Sequence, residues 1–89
     1  MVKTATLKII NKAGLHARAS TRLVQSANKY RCEVTVSKDG QDVNGKSIMG
    51  VLLLVAAKGS TITITCDGED AQPCLESLTQ LVQTGFGED

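Results

Sequence analysis

Polar and apolar residues alternate through Thr4-Ala5-Thr6-Leu7-Lys8-Ile9, which predicts a half-buried strand with Ala5, Leu7 and Ile9 on one face. Asn11-Lys12-Ala13-Gly14 interrupts that pattern. From Ala17 to about Lys29 the apolar positions Ala19, Leu23, Val24 and Ala27 fall three and four apart, the spacing of a helix face. Cys32, Val34 and Val36 return to alternation. The Asp39-Gly40 pair signals a tight hairpin into a short third strand around Gln41–Val43. Ser47 to about Val55 reads as a short helix, preceded by Asn44-Gly45 and ended by Lys58-Gly59. Thr61–Cys66 is the cleanest strand, with Ile62, Ile64 and Cys66 on one side. After the Asp67-Gly68 turn, Asp70 opens a final helix whose buried stripe is Leu75, Leu78, Leu81 and Val82. Pro73 fits its first turn, where N–H groups have no intrahelical partner. The tail Gly85–Asp89 is expected to fray.

The predicted order is βαββαβα. Period-two strands with one polar face need helices on the other face only. That makes an α+β fold, an open-faced β-sandwich of a four-stranded antiparallel sheet with three helices on one side. Eighty-nine residues make one domain, 1–89, with a single core. A chain 42% apolar with a net charge of +1 is globular rather than disordered. The longest apolar run, Val51–Ala57, falls well short of the roughly eighteen residues a membrane-spanning helix needs, so no membrane insertion is expected. Met1-Val2-Lys3 enters the alternating pattern without a signal-peptide profile, which points to the cytoplasm.

Charge is distributed unevenly. Residues 1–31 carry Lys3, Lys8, Lys12, Arg18, Arg22, Lys29 and Arg31 and no acid, whereas residues 67–89 carry acids and no base. A basic half suits acidic protein partners through electrostatic steering. Nucleic acid is not an expected partner, because only Tyr30 and Phe86 offer a stacking surface. Cys32, Cys66 and Cys74 are odd in number and lack metal-ligand spacing, so they read as reduced core residues and no metal or other cofactor is implied.

The only histidine, His16, stands in Gly14-Leu15-His16-Ala17-Arg18, where the strand pattern gives way to the helical one. Helix N-termini expose unpaired N–H groups and about half a positive charge, an environment that attracts phosphate and disfavours a proton on the ring. A neutral imidazole nitrogen there is a nucleophile, although a simple turn or capping role also fits the position. Arg18 offers a planar fork suited to phosphate oxygens, and the backbone N–H groups of Ala17 and Arg18 are further phosphate contacts. Ser47 stands where a helix N-cap is preferred.

Gly14-Leu15-His16-Ala17-Arg18 resembles the active-site signature of the HPr family, the histidine-containing phosphocarriers of the bacterial phosphotransferase system. Asn44-Gly45-Lys46-Ser47-Ile48-Met49-Gly50-Val51 resembles that family's regulatory serine region, about thirty residues further on. The family usually carries proline after the arginine, where this chain has Ala19. The resemblance implies phosphorylation of His16 at Nδ1 by enzyme I, onward transfer to enzyme IIA domains, and phosphorylation of Ser47 by an HPr kinase/phosphorylase. It implies a relay protein rather than an enzyme, expected as a monomer. Ile48, Met49 and Leu52 are candidate docking residues. Alternatives are a nitrogen-related or purely regulatory carrier of the same type, or a small anion-binding module without phosphotransfer.

Overall fold

In the computed structural model, which describes residues 1–88, alternation becomes strand at every expected place. The elements are β1 (Val2–Lys8), α1 (Ala17–Ala27), β2 (Glu33–Lys38), β3 (Gln41–Asn44), α2 (Ile48–Leu53), β4 (Thr61–Asp67) and α3 (Ala71–Gln83). The sheet order is β1-β4-β2-β3, antiparallel throughout, so the fold is the expected open-faced sandwich.

The strand with the cleanest alternation takes an interior position. Ile62, Ile64 and Cys66 of β4 are fully buried. Ile62 lies opposite Leu7, Ile64 lies between Ala5 and Val36, and Cys66 lies opposite Val34. The intervening threonines line the uncovered face, where Thr4 donates to Thr65 and Thr6 pairs with Thr63, both hydroxyl pairs at 3.3 Å. Cross-strand threonine pairs suit a wet sheet face. Against the other face pack Ala19, Leu23, Val24 and Ala27 of α1, Val51 of α2, and Ala71, Cys74, Leu78 and Val82 of α3. The expected α3 stripe is thus rotated slightly: Leu78 and Val82 are buried, while Leu75 and Leu81 pack on the rim.

Two helices end earlier than their periodicity suggests. α1 stops at Ala27 because Asn28 turns its amide to the Val24 carbonyl and the next N–H groups form tighter turns. α2 stops at Leu53, and Val55 takes a left-handed conformation at φ +47°. The Ala56 carbonyl is needed elsewhere, accepting from the Leu15 N–H at 2.8 Å.

The tail departs from expectation. Gly85–Gly87 form a single 3₁₀-type turn, in which Phe86 takes a left-handed conformation and is 1% exposed. Its ring is the largest fully buried side chain, and the Arg22 guanidinium donates to its carbonyl. Composition marked this segment as loose because it is glycine-rich and terminal. Burial of one aromatic ring outweighs that entropy. Asp89, the last residue of the expected frayed tail, lies outside the described residues.

Phe86→Ala is therefore expected to destabilise the domain by about 3–5 kcal/mol, the usual cost of removing a buried ring. Urea denaturation followed by circular dichroism measures it; a loss under about 1 kcal/mol would mean the tail is not part of the core.

Candidate functional site

The loop before α1 is set by glycine. Gly14 has φ +69°, and a Cβ there would stand 2.5 Å from the Ala56 carbonyl oxygen. This contact lets Leu15 bury its side chain and hydrogen-bond Ala56, and the buried Ser20 hydroxyl donates back to the Leu15 carbonyl at 3.0 Å. His16 follows as the N-cap of α1, with extended backbone.

The imidazole is held from both sides. Its Nδ1 accepts from the Arg18 backbone N–H at 3.2 Å. An amide N–H can only donate, so Nδ1 carries the lone pair and the ring proton resides on Nε2. Nε2 donates to Glu88 Oε2 at 2.7 Å. Glu88 Oε1 in turn accepts from the Asn11 amide at 2.9 Å, and the same amide nitrogen donates to the Gly14 carbonyl at 2.8 Å. Asn11 is buried, so it ties the loop and the tail together beneath the ring. The hydrogen bond from Asn11, reinforced by His16 and by the charge of Arg18, lowers the Glu88 carboxyl below its ordinary value.

An open cavity of about 430 Å³ lies over this assembly, lined by Ala13, His16, Arg18, Arg22, Gly87 and Glu88. Two guanidiniums face it. Arg18 is exposed on the first turn of α1, and Ala17 beside it leaves its N–H at the open helix end. The first intrahelical bond of α1 runs from the Ser20 N–H to the His16 carbonyl. The Ala19 N–H is therefore outside the ladder, and proline at this position would remove no intrahelical bond.

A second, apolar cavity of about 310 Å³ adjoins the ring, with Leu15, Leu52, Val55, Ala56 and Ala57 on its walls. Leu52 thus lies beside His16. Ile48 and Met49 are exposed at the other end of α2. That end lies near the far end of α1, since Asn28 donates to the Lys46 carbonyl at 3.3 Å. The 11 residues of α1 span about 16 Å, so Ser47 and His16 occupy opposite ends of the α1–α2 pair. Ser47 caps α2, its hydroxyl accepting from the Gly50 N–H at 3.1 Å.

Glu88, Asn11 and Arg22 are the site residues that sequence reasoning did not find. Glu88 is 72 residues from His16 and was assigned to a loose tail, so no local pattern pointed to it. Arg22 stood only among the basic residues, although its spacing of one helical turn from Arg18 places both on one face. Leu53 and Val55 are exposed, 63% and 77% accessible, and Val55 lies beyond the end of the helix that the sequence predicts to reach it.

An open-faced sandwich that presents a helix-capping imidazole, hydrogen-bonded at both ring nitrogens, to a cavity lined by two arginines has the features of a histidine phosphocarrier domain. The comparisons agree. Residues 3–84 match the family model of the PTS HPr component phosphorylation site. Phosphocarrier protein HPr of Neisseria meningitidis is 48% identical over 83 residues, 93% of each chain. The crystal structure of HPr-C-His from Thermoanaerobacter tengcongensis superposes with a TM-score of 0.95 at 38% identity, covering 98% of both chains. That of HPr from Bacillus anthracis gives a TM-score of 0.88 at 41% identity, covering 92% of this chain and 98% of its own. The chain belongs to the HPr family of phosphocarriers of the phosphotransferase system.

Folding lowers the Glu88 carboxyl from its ordinary value of 4.5, so its ionised contacts stabilise the fold fully above that pH. The stabilisation disappears as pH falls through the lower folded value. The melting temperature of Glu88→Gln is expected to lie below wild type at neutral pH and to converge on it in acid. A gap that stays constant from pH 7 down to pH 2–3, about two units below the ordinary carboxyl range, would remove the charge from the explanation.

Proposed function

We propose that the chain relays a phosphoryl group from enzyme I, through His16 Nδ1, to enzyme IIA domains, acting as a monomer in the cytoplasm. The observation that carries this reading is the two-sided hold on the imidazole: Nδ1 is an acceptor at a helix N-terminus, and Nε2–H is committed to Glu88.

The chemistry follows from that tautomer. The Nδ1 lone pair attacks phosphorus, the donor's bond to phosphorus breaks, and the ring becomes a cationic phosphoimidazole that keeps its Nε2 proton. Glu88 then faces a full positive charge, as the carboxylate of a catalytic triad faces its imidazolium. The new phosphate displaces the cap bond, leaving the N–H groups of Ala17 and Arg18 as donors to its oxygens. The Arg18 guanidinium reaches the phosphate from the open side of the cavity and Arg22 adds charge beneath it. No proton has to move in either direction, which suits a group that must both accept and donate.

Docking rests on the apolar surface of α2 and the following loop. Leu52 and Val55 border the ring, with Ile48, Met49 and Leu53 extending the exposed strip. Val55 holds a left-handed backbone that a β-branched residue adopts only at a cost of order 1–3 kcal/mol, the kind of strain that accumulates at functional surfaces. The basic residues around His16 complement an acidic enzyme I surface.

His16→Ala is expected to abolish phosphorylation by enzyme I and phosphoenolpyruvate, read by intact mass as an acid-labile, base-stable gain of one phosphate. Persistent labelling would overturn the assignment. Arg18→Ala should slow transfer by the worth of one charged hydrogen bond, about 1.5–3 kcal/mol. Equal rates would make Arg18 a bystander.

We further propose that Ser47 is the target of an HPr kinase/phosphorylase. Its phosphate would place about −1.5 to −2 charges on the α2 end of the docking strip and oppose an acidic partner. The distance to His16 makes this a docking effect rather than a direct effect on the ring. Ser47→Asp is expected to raise KM for enzyme I while leaving kcat and thermal stability nearly unchanged. Ser47→Ala should lose only the cap, about 1 kcal/mol. Identical enzyme I kinetics for wild type, Ser47→Asp and phosphoserine protein would reduce Ser47 to a cap.

A further inference from the structure

Three buried thiols converge at the end of the sheet remote from His16. Cys32 precedes β2, Cys66 lies on β4 and Cys74 lies one turn into α3, and their sulfur atoms all lie within 4.8 Å of one another. β4 separates them from the histidine loop: Ser60, next to Thr61, hydrogen-bonds Ile9, whereas Asp67 borders Cys32, about 20 Å away at the strand rise.

Buried cysteines ordinarily pack as small hydrophobes. Three observations go beyond packing here. Sulfurs bound at about 2.3 Å around one ion stand about 3.8 Å apart, so closure from the present spacing needs about 1 Å at most. Cys32 also forms part of a surface cleft of about 610 Å³, where Glu33, Asp67, Glu69 and Asp70 face the single cation Arg31. An anionic cleft concentrates cations and gives a buried site an entrance. Finally, Cys32 is held in place before any ion arrives. The Asp70 carboxylate accepts from the N–H groups of Arg31 and Cys32 at 2.8 and 2.9 Å instead of capping α3. Gly68, with φ +154°, lies so close that a Cβ there would stand 2.8 Å from both Cα and Cβ of Cys32.

We propose that Cys32, Cys66 and Cys74 form a three-thiolate site for a thiophilic divalent d¹⁰ cation, entered through the acidic cleft. Binding is M²⁺ + 3 Cys–SH → [M(S–Cys)₃]⁻ + 3 H⁺. Three S–H bonds are replaced by three M–S bonds, the protons leave to solvent, and no oxidation state changes. The remaining negative charge lies beside the N-terminus of the 13-residue α3, where the helix dipole favours it. Cysteine ligates as thiolate, so the ion displaces the three thiol protons and its affinity rises with pH.

Anaerobic titration of the fully reduced full-length protein with Cd(II) tests the site. The expected result is one ion per chain, a thiolate-to-cadmium charge-transfer band, three protons released per ion, and displacement by Zn(II) in excess. Cys32→Ser, Cys66→Ala and Cys74→Ala should each weaken binding by more than about 100-fold, beyond what loss of an indirect contact costs. Circular dichroism and His16 phosphorylation should remain as in wild type. Should the two fully buried variants fail to fold, Cys32→Ser at the cleft edge carries the test. Absence of the charge-transfer band, release of fewer than three protons, or unchanged affinity in Cys32→Ser would overturn the proposal. Cadmium binding lost only in Glu33→Gln or Asp67→Asn would overturn it too, since the ion would then sit on surface carboxylates.

Discussion

The histidine end of the molecule depends on one close approach of two backbones, Gly14 against Ala56 and Ala57. No side chain fits between them, since a Cβ would also stand 2.9 Å from the Ala57 Cα. Because the gap is so narrow, the Leu15 N–H reaches the Ala56 carbonyl and the first turn of α1 starts at a fixed point. α2 has ended before that carbonyl, with the Leu54 and Val55 N–H groups turning to Val51 and Leu52, and Val55 stands exposed. One contact thus positions the imidazole and shapes the apolar wall beside it.

Electrostatic balance at the ring follows from that placement. A helix N-terminus and two arginines favour an anion in the cavity, while Glu88 supplies negative charge on the opposite edge of the imidazole. A ring flanked only by cations would resist becoming a phosphoimidazolium. A ring flanked only by carboxylate would repel the incoming phosphate. On the proposed relay, the opposed arrangement would serve a carrier that must give up what it accepts, since each charge offsets the other. The buried Asn11 amide makes the arrangement rigid by spending both its N–H groups on the two segments that meet there.

The two ends of the sheet have divided their chemistry. One end has an open, cationic, hydrogen-bonded site; the other has sulfur atoms beneath an acidic cleft. A small domain has little interior, and the inner face of β4 is its deepest part. Cys66 occupies that face, so its neighbours must be small, and Cys32 and Cys74 meet the demand. Packing alone explains why small residues stand there. It does not explain the acidic cleft or the carboxylate that holds Cys32 by its backbone.

Periodicity is a local property, so the elements, their order and the inner face of the strands and of α1 were legible in the chain, while the α3 stripe lies rotated toward Ala71 and Cys74. Two-residue and three-to-four-residue spacing are imposed by strand and helix geometry whatever lies opposite. The sequence also marked His16, Arg18 and Ser47 within two local motifs. Element ends were less legible, since Leu53 and Ala27 are stopped by hydrogen bonds to distant or non-periodic groups. Contact between distant parts of the chain set the carboxylate partner of His16. Glu88 reaches it because Phe86, flanked by two glycines, turns left-handed and buries its ring, a choice no pattern in a glycine-rich terminus announces. The cysteines were legible one by one as inward-facing. That they meet was decided by antiparallel pairing of Val34 with Cys66 and by the seating of α3 on the sheet, contacts between residues far apart in the chain. Local geometry sets which way a side chain faces; long-range packing sets what it faces.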